Sequence, residues 1–199
     1  MIFSIFLFKA FPINSLFCLH YAPQNEQWSV FNFCEEMVKS LVLVRHAQAE
    51  PYSPVIKDEE RELTGTGVAD ASRMGKHLHS LQVAPDMIVA SPAYRTSTTA
   101  ELLAEQLGYD LSSIKIEPTL YESSMRNLMA VVNGLNEKHR QVMIVSHNPT
   151  LTYLAEYLTH AEIGTLPTCG SVYIQFENLP WNQVSGNTGK LVWFEYPGK

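Results

Sequence analysis

Three short apolar runs are separated by stretches of helical periodicity, and this alternation restricts the chain to one class of fold. The runs cover residues 41–44, 87–90 and 142–145, and they contain only Val, Ile, Leu, Met and Ala. Such runs are typical of parallel strands that are buried on both faces. Strands that alternate with helices are connected by crossovers, which build a mostly parallel sheet between two helical layers.

The rest of the chain supplies the helices and the remaining strands. Helical patterns cover four stretches: residues 64–81, 92–107 with a stop at Gly108, 124–138 and 149–160. Further strands are predicted at residues 114–116, 172–176 and 191–194, the last two as an antiparallel hairpin. We therefore expect an α/β fold with three layers, in which a doubly wound, mostly parallel sheet has helices on both faces and an antiparallel C-terminal edge.

The composition changes at Met37. Residues 1–36 hold one basic and three acidic side chains and seven of the nine phenylalanines, without a regular period. A targeting segment and a packed structural element are two interpretations, although Lys9 and Asn14 interrupt any apolar window long enough for a membrane span. We favour a third, in which residues 1–36 are an extension that is poorly ordered or not part of the working protein. The domain would then be residues 37–199, and a chain beginning at Met37 should fold and keep full activity.

Composition and charge exclude several classes of function. Hydrophobic residues make up 46% of the chain, which is too many for an intrinsically disordered protein. A net charge of −6 and the lack of a basic run argue against nucleic-acid binding. The three cysteines fit neither a disulfide scaffold nor a zinc site, and no other group of residues has the spacing of metal ligands. We therefore expect no metal and no cofactor, and activity that survives chelation by EDTA.

Basic side chains follow the three apolar runs at the point where each strand ends. Arg45 and His46 follow the first run, Ser91 and Arg95 follow the second, and His147 follows the third. Ligands in open α/β sheets bind beyond the carboxyl ends of the strands, so these side chains should meet at one edge. Either histidine alone would more often be structural, and an arginine in a first helical turn is usually solvated or ion-paired. Four such residues at three strand ends are hard to attribute to chance.

Two helix N-termini are predicted at the same edge. Ser91-Pro92 and Asn148-Pro149 each resemble an N-cap followed by a proline in the first turn. Helix N-termini favour anions, and guanidinium groups bind tetrahedral oxyanions through paired hydrogen bonds. The expected ligand is therefore a phosphoryl group. An imidazole in such a pocket can attack phosphorus and form a phosphohistidine intermediate, while the other groups neutralise the oxygens in the transition state.

Four segments resemble the motifs of one family, in the family's order. They are LVLVRHA at residues 41–47, RELT at 61–64 with Gly67, SPAYRT at 91–96 and VSHNPT at 145–150. Each segment alone is weakly specific. Together they resemble the histidine phosphatase superfamily, which includes the phosphoglycerate mutases, over about residues 37–196.

The resemblance implies a role for each matched residue. His46 would be the nucleophile; Arg45, Arg95 and His147 would bind the phosphoryl group, His147 also serving in catalysis; Asn148 would be a further phosphate-binding residue; and Glu122 falls where many members carry the proton donor. The alternative for Glu122 is a surface carboxylate between a strand and a helix. Arg61 lies near the pocket in the motif order, but we interpret it as structural.

Two features resemble the short phosphohistidine phosphatases of the SixA type. Ala47 stands where Gly is commoner after Arg-His, and Asn148-Pro149 follows the second histidine. The distance from Ser91 to His147 is too short for the insertions that roof the active site in other members, so the pocket should admit a phosphorylated side chain on a protein surface. Glu122 departs from this subgroup, because an imidazole leaving group can take its proton from solvent. A candidate acid keeps phosphate esters open as substrates.

The expected function is therefore that of a metal-independent, cytoplasmic phosphohydrolase. Its substrate would be phosphohistidine in a signalling protein of the histidine phosphotransfer type, with no nucleic-acid or membrane partner. Two alternatives remain: a broad-specificity phosphomonoesterase of the phosphoglycerate mutase-like family, and a catalytically silent phosphoprotein-binding module. The intact set of arginines and histidines argues against the silent module. A mutase is disfavoured, since it must enclose a small bisphosphorylated intermediate in a closed site.

Overall fold

The computed structural model describes residues 38–199, so the expectations for residues 1–36 lie outside the described residues. The strands are β1 (Val38–Arg45), β2 (Met87–Ala90), β3 (Lys115–Ile116), β4 (Gln141–Ser146), β5 (Ser171–Glu177) and β6 (Lys190–Glu195). The helices are α1 (Gly65–Ser80), α2 (Tyr94–Leu107), α3 (Met125–Asn133) and α4 (Thr150–Thr159). Short 3-10 helices lie in the connections at Asp58–Glu60, Leu111–Ser113, Pro118–Leu120 and Trp181–Gln183.

The described strands form one six-stranded sheet with the order β3-β2-β4-β1-β5-β6. β1, β4, β2 and β3 run parallel to one another. β5 is antiparallel to β1, and β6 is antiparallel to β5. The α/β class, the mostly parallel sheet and the antiparallel C-terminal edge are thus confirmed. Because β1 is paired on both sides, the backbone at its carboxyl end is held by two neighbouring strands.

Alternate residues of β1 face two separate apolar cores. Leu41 and Leu43 pack on the side of α3 and α4, whereas Val42 and Val44 pack on the side of α1 and α2. All four side chains are completely buried. The run is apolar at every position because helices cover both faces of the sheet. Within residues 38–199, no helix has the length and apolar character needed to cross a membrane.

Both predicted N-caps are wrong. Ala93 occupies the cap position of α2 and Pro149 that of α4, and no side chain caps either helix. The hydroxyl of Ser91 instead bonds to a histidine, and the amide of Asn148 bonds to a backbone carbonyl. Contacts with residues distant in the sequence have therefore replaced the local capping bonds that these two side chains favour.

A glycine directly follows the last residue of both α2 and α3. α2 ends at Leu107, as predicted, and Gly108 follows it with a left-handed φ of 69°. α3 ends at Asn133, short of the predicted end at residue 138, and Gly134 follows it in the C-cap position. The side-chain amide of Asn133 donates to the carbonyls of Trp181 and Val184, which anchors this end of α3 to the last 3-10 helix.

The first turn of α1 packs directly on the backbone that follows β1. Thr64 caps the helix by accepting a hydrogen bond from the Gly67 N–H, and its own N–H donates to the carbonyl of Gln48 at 2.9 Å. A Cβ on Gly67 would lie 2.1 Å from that same Gln48 oxygen. Only glycine fits this approach without a shift of the backbone. Gly67 therefore sets how closely α1 approaches the segment that leaves the end of β1.

Gly67→Ala should destabilise the protein through this clash. Overpacking of a closely packed site costs about 1–3 kcal/mol, which lowers the thermal midpoint by roughly 3–10 °C in a domain of this size. Gly65→Ala is the matched control, because nothing lies within 4 Å of its added Cβ. Thermal denaturation of both variants checks the prediction, and an equal midpoint for the two would contradict the close approach.

Candidate active site

The carboxyl ends of β1, β2 and β4 meet at one edge of the sheet. Arg45 at the end of β1 is paired with Ser146 at the end of β4, and Ala90 at the end of β2 is paired with Val145. The N–H of His46 donates to the Ser146 carbonyl at 3.1 Å, which extends the pairing of β1 with β4 beyond the strand. The side chains that follow the three strands therefore lie together, as the strand-end rule predicted.

One backbone hydrogen bond determines which nitrogen of the His46 ring carries the hydrogen. Nδ1 lies 2.7 Å from the carbonyl oxygen of Ala47. A carbonyl only accepts, so Nδ1 carries the hydrogen and donates it, which leaves a lone pair on Nε2 of the neutral ring. Burial lowers the pKa of His46 to about 4; the hydrogen bond to the Ala47 carbonyl acts in the opposite direction, and the charges of Arg95 and Arg45 lower the pKa further. At neutral pH the ring is therefore an uncharged imidazole with Nε2 free to attack an electrophile.

His147 lies against His46, with the two ring centroids 5.3 Å apart in an edge-on arrangement. Its Nε2 and the buried Oγ of Ser91 are 2.9 Å apart and share a hydrogen bond. Burial lowers the pKa of His147 to about 3, and the charge of Arg95 lowers it further. If the serine hydroxyl donates to Nε2, the neutral ring carries its hydrogen on Nδ1 and presents a donor.

Arg45 leaves the end of β1 and is tied to the loop before β5. Its Nη1 donates to the carbonyl of Leu166 at 2.9 Å, and the side-chain amide of Asn148 donates to the same oxygen at 2.9 Å. The Nε–H of Arg45 is buried and has no hydrogen-bond partner among the described residues. A buried donor of this kind is available to an anion in the pocket. The phosphate-binding role of Asn148 stays a prediction.

Arg95, at the start of α2, is almost completely buried and is held by Asp58. Its Nη1 donates to the main-chain oxygen of Asp58 at 2.5 Å, and its Nη2 donates to the carboxylate at 2.8 Å. The other carboxylate oxygen accepts from Nε of Arg61 at 2.8 Å, and the hydroxyl of Tyr121 donates to the carboxylate at 3.2 Å. Arg61, interpreted as structural from the sequence, thus lies at the same site, where its charge lowers the pKa of His46.

Asp58 and Tyr121 are site residues that the sequence alone did not reveal. Asp58 precedes Arg61 by three positions, a spacing that predicts an ion pair within one turn. Nothing local connects Asp58 with Arg95. Tyr121 lies beside His147, with ring centroids 5.9 Å apart. Their positions depend on the loop after β1 and the loop before α3, which periodicity does not place.

Glu122 follows Tyr121 and is exposed, with a left-handed φ of 48°. Within residues 38–199, its carboxylate accepts no hydrogen bond from either imidazole of the site. Its role as a proton donor stays a prediction. Among residues 38–199, no three His, Cys, Asp or Glu side chains are grouped where they could hold a metal ion. The described site therefore offers two neutral imidazoles surrounded by three guanidinium groups, an arrangement that suits nucleophilic attack on a tetrahedral anion.

A family model matches the part of the chain that contains most of these residues. Residues 41–129 match the model of the histidine phosphatase superfamily, branch 1. The matched range includes Arg45, His46, Arg61 and Arg95, and it ends before His147. The model thus covers the nucleophile candidate and the arginines of the site.

The chain is also similar to several individual proteins. An uncharacterized chloroplastic protein of Arabidopsis thaliana is 27% identical over 169 residues, which is 78% of this chain and 74% of that protein. The mitochondrial serine/threonine-protein phosphatase Pgam5 of Drosophila grimshawi is 28% identical over 86 residues, which is 43% of this chain and 29% of that protein. The solved structure of the protein histidine phosphatase SixA complexed with tungstate superimposes with a TM-score of 0.65 at 24% identity, covering 79% of this chain and 97% of SixA. At that identity the likeness shows a shared fold.

The buried imidazoles predict a loss of stability in mild acid. The pKa values of His46 and His147 lie near 4 and 3 in the folded chain, against 6.5 ordinarily. Below about pH 6.5 the unfolded chain therefore binds more protons than the folded chain, and the free energy of unfolding falls as the pH falls toward 4. The slope should approach about 1.4 kcal/mol per pH unit for each histidine.

Chemical denaturation at several pH values between about 6.5 and 4.5 measures this slope. His46→Asn removes one of the two groups and should make the slope shallower. The exposed His79 supplies a matched control, and His79→Asn should keep the slope of the unmodified chain. A His46→Asn slope as steep as that of the control would show that His46 is not held neutral by the fold.

Proposed function

The chain belongs to the histidine phosphatase superfamily, and we propose that it removes phosphoryl groups from proteins through a phosphohistidine intermediate on His46. The observation that carries this proposal is the hydrogen bond from Nδ1 of His46 to the Ala47 carbonyl. Because Nδ1 carries the hydrogen, the lone pair of the neutral ring lies on Nε2. Nearby guanidinium groups neutralise the negative charge of the phosphoryl oxygens. Phosphatase activity is what the family membership supports; the mechanism and the substrate are our proposal.

The reaction proceeds in two displacements. Nε2 of His46 attacks phosphorus, an N–P bond forms, and the bond to the leaving group breaks with its electron pair going to that group. Water then attacks the phosphorus of the intermediate, the N–P bond breaks, and inorganic phosphate leaves with the neutral imidazole restored. Without the enzyme, water would attack the phosphoryl group directly, and the negative oxygens of that group would repel it. The two displacements replace this single difficult step.

The other side chains stabilise the charge of the phosphoryl group. Arg45 and Arg95 each hold a buried Nε–H that no group in residues 38–199 accepts from, and which is available to an equatorial phosphoryl oxygen. His147 adds a neutral donor when the Ser91 hydroxyl donates to its Nε2. These donors are fixed by contacts with the protein before substrate arrives, so little reorganisation is required in the transition state.

We propose phosphohistidine as the substrate, carried by a phosphotransfer protein. Burial raises the pKa of Asp58, but the charges and hydrogen bonds of Arg95 and Arg61 outweigh it and lower the pKa. Asp58 is therefore ionised and is not a proton donor. An imidazole leaving group needs no acid from the enzyme, because solvent can protonate its far nitrogen. The fold shared with the protein histidine phosphatase SixA agrees with this choice.

A phosphate ester is the second candidate substrate. Glu122 is exposed and directly follows Tyr121, whose ring contacts His147, so Glu122 is the candidate acid for protonating a leaving oxygen. The partial likeness to a serine/threonine-protein phosphatase points the same way. The substrate would then be a phosphorylated serine or threonine on a protein, or a small phosphomonoester.

His46→Ala should abolish turnover without unfolding the chain. Removal of a covalent nucleophile lowers kcat by several orders of magnitude, whereas an indirect role would leave more than about a tenth of the activity. His79→Ala is the matched control, since His79 is exposed on α1 and should keep full activity. Steady-state assays of both variants check the expectation, and circular dichroism confirms that each is folded.

The substrate is tested by comparing a phosphohistidine protein with p-nitrophenyl phosphate and a phosphoserine peptide. We expect the highest kcat/KM for the phosphohistidine protein, and no dependence of that value on Glu122, so that Glu122→Gln keeps it. A strong loss in Glu122→Gln, confined to the ester substrates, is the pattern expected if the chain is instead a phosphomonoesterase. Phosphopeptide binding without turnover on any substrate would support a silent binding module.

A further inference from the structure

Asp58 contributes every oxygen it has to side chains of the active site. The carboxylate accepts from Arg95, Arg61 and Tyr121, and the main-chain oxygen accepts a second bond from Arg95. The four bonds link the loop after β1 to the start of α2 and to the loop before α3. We propose that Asp58 is a positioning residue that holds Arg95 and Arg61 in the orientation that binds the phosphoryl group. The inference rests on the proposed function.

The pattern of bonds decides which part of Arg95 remains for a ligand. Asp58 takes Nη1 and Nη2, the two nitrogens at the end of the guanidinium group. Arg95 is only 5% exposed, and its Nε is buried and has no partner among the described residues. A free, buried N–H donor is costly unless a ligand satisfies it. The bonds to Asp58 therefore direct the side edge of the guanidinium, with its Nε–H, to the phosphoryl oxygens.

The position of Asp58 suits a residue that holds Arg95 in place, and not one that competes with phosphate for Arg95. Its carboxylate lies nearer the surface, with 39% of the side chain exposed, while the side chain of Arg95 is 6% exposed. The main-chain oxygen of Asp58 accepts one of the two bonds from Arg95, and a phosphate cannot replace this oxygen without moving the loop. A fixed support of this kind keeps a long side chain in one rotamer, so that binding an anion need not order it.

The test is the affinity of the full chain for inorganic phosphate, measured by calorimetric titration. Asp58→Asn keeps the size of the side chain and the main-chain contact but removes the charge that holds Arg95 and Arg61. We expect the Kd for phosphate to rise about tenfold or more, as for loss of hydrogen bonds between charged groups. kcat/KM for p-nitrophenyl phosphate should fall by a similar factor, and the thermal midpoint should change by only a few degrees.

Glu59→Gln is the matched control. Glu59 lies in the same short 3-10 helix and is exposed, so the substitution removes the same charge one residue away. Its Kd should stay within about twofold of the unmodified value, since exposed charges at this distance are screened by salt. An equal rise of Kd in Asp58→Asn and Glu59→Gln would overturn the proposal, because loop charge alone would then explain the effect.

A double-mutant cycle shows whether Asp58 acts through Arg95. In an Arg95→Ala background, Asp58→Asn should raise the Kd for phosphate by a clearly smaller factor than in the unmodified chain, because only Arg61 remains for Asp58 to hold. An undiminished tenfold loss in that background would overturn the proposal. So would tighter phosphate binding in Asp58→Asn, which would mean that the carboxylate competes with phosphate.

Asp58→Glu keeps the negative charge and provides a second variant should Asp58→Asn unfold. Its longer carboxylate can still accept from both arginines, so its Kd should lie closer to the unmodified value than that of Asp58→Asn. Tighter binding of phosphate by Asp58→Glu than by the unmodified chain would overturn the proposal. If the unmodified chain itself does not bind phosphate, the proposed function fails along with this inference. Normal binding that Asp58→Asn leaves unchanged contradicts the inference alone.

Discussion

The hydrogen bond from Nδ1 of His46 to the Ala47 carbonyl is the interaction on which the rest of the site depends. It holds because the backbone at residues 46 and 47 is fixed on several sides. The His46 carbonyl accepts from the Cys169 N–H at 3.1 Å, and the Ala47 N–H donates to the hydroxyl of Thr99 at 3.0 Å. These bonds tie the end of the central strand to the loop before β5 and to α2. The sheet therefore holds the ring with its Nε2 free, and Nε2 is the atom that attacks phosphorus in the proposed mechanism.

The charged groups around the His46 ring affect both the protonation of the imidazoles and the binding of an anion. Burial and the nearby guanidinium groups keep both imidazoles neutral, which a nucleophile requires and a cation could not provide. Arg45, Arg61 and Arg95 bring three positive charges, and the carboxylate of Asp58 cancels one of them. What remains is balanced by the two negative charges of a phosphoryl group. In the proposed mechanism, the arginines that bind the substrate also help burial to keep the nucleophile unprotonated.

Much of the fold and the centre of the site follow from the sequence, because local patterns determine them. Apolar runs predict buried strands, and parallel strands bring Arg45, His46, Arg95 and His147 to one edge. What the sequence does not show depends on long-range contacts. The hydroxyl of Ser91 has a local use as a helix cap, yet the structure gives it to His147, 56 residues away. Asp58 contacts Arg95 across 37 residues through a loop that has no periodicity.

The atom that carries phosphorus in the intermediate distinguishes the proposed mechanism from its alternatives. The full chain is mixed with a phosphohistidine protein or p-nitrophenyl phosphate under single-turnover conditions and quenched in alkali, where phosphohistidine survives. Peptide mass spectrometry locates the phosphorylated residue, and phosphorus NMR distinguishes the two ring nitrogens. We expect phosphate on Nε2 of His46, because Nδ1 donates its hydrogen to the Ala47 carbonyl. Phosphate on Nδ1 of His46, or on His147, would contradict it.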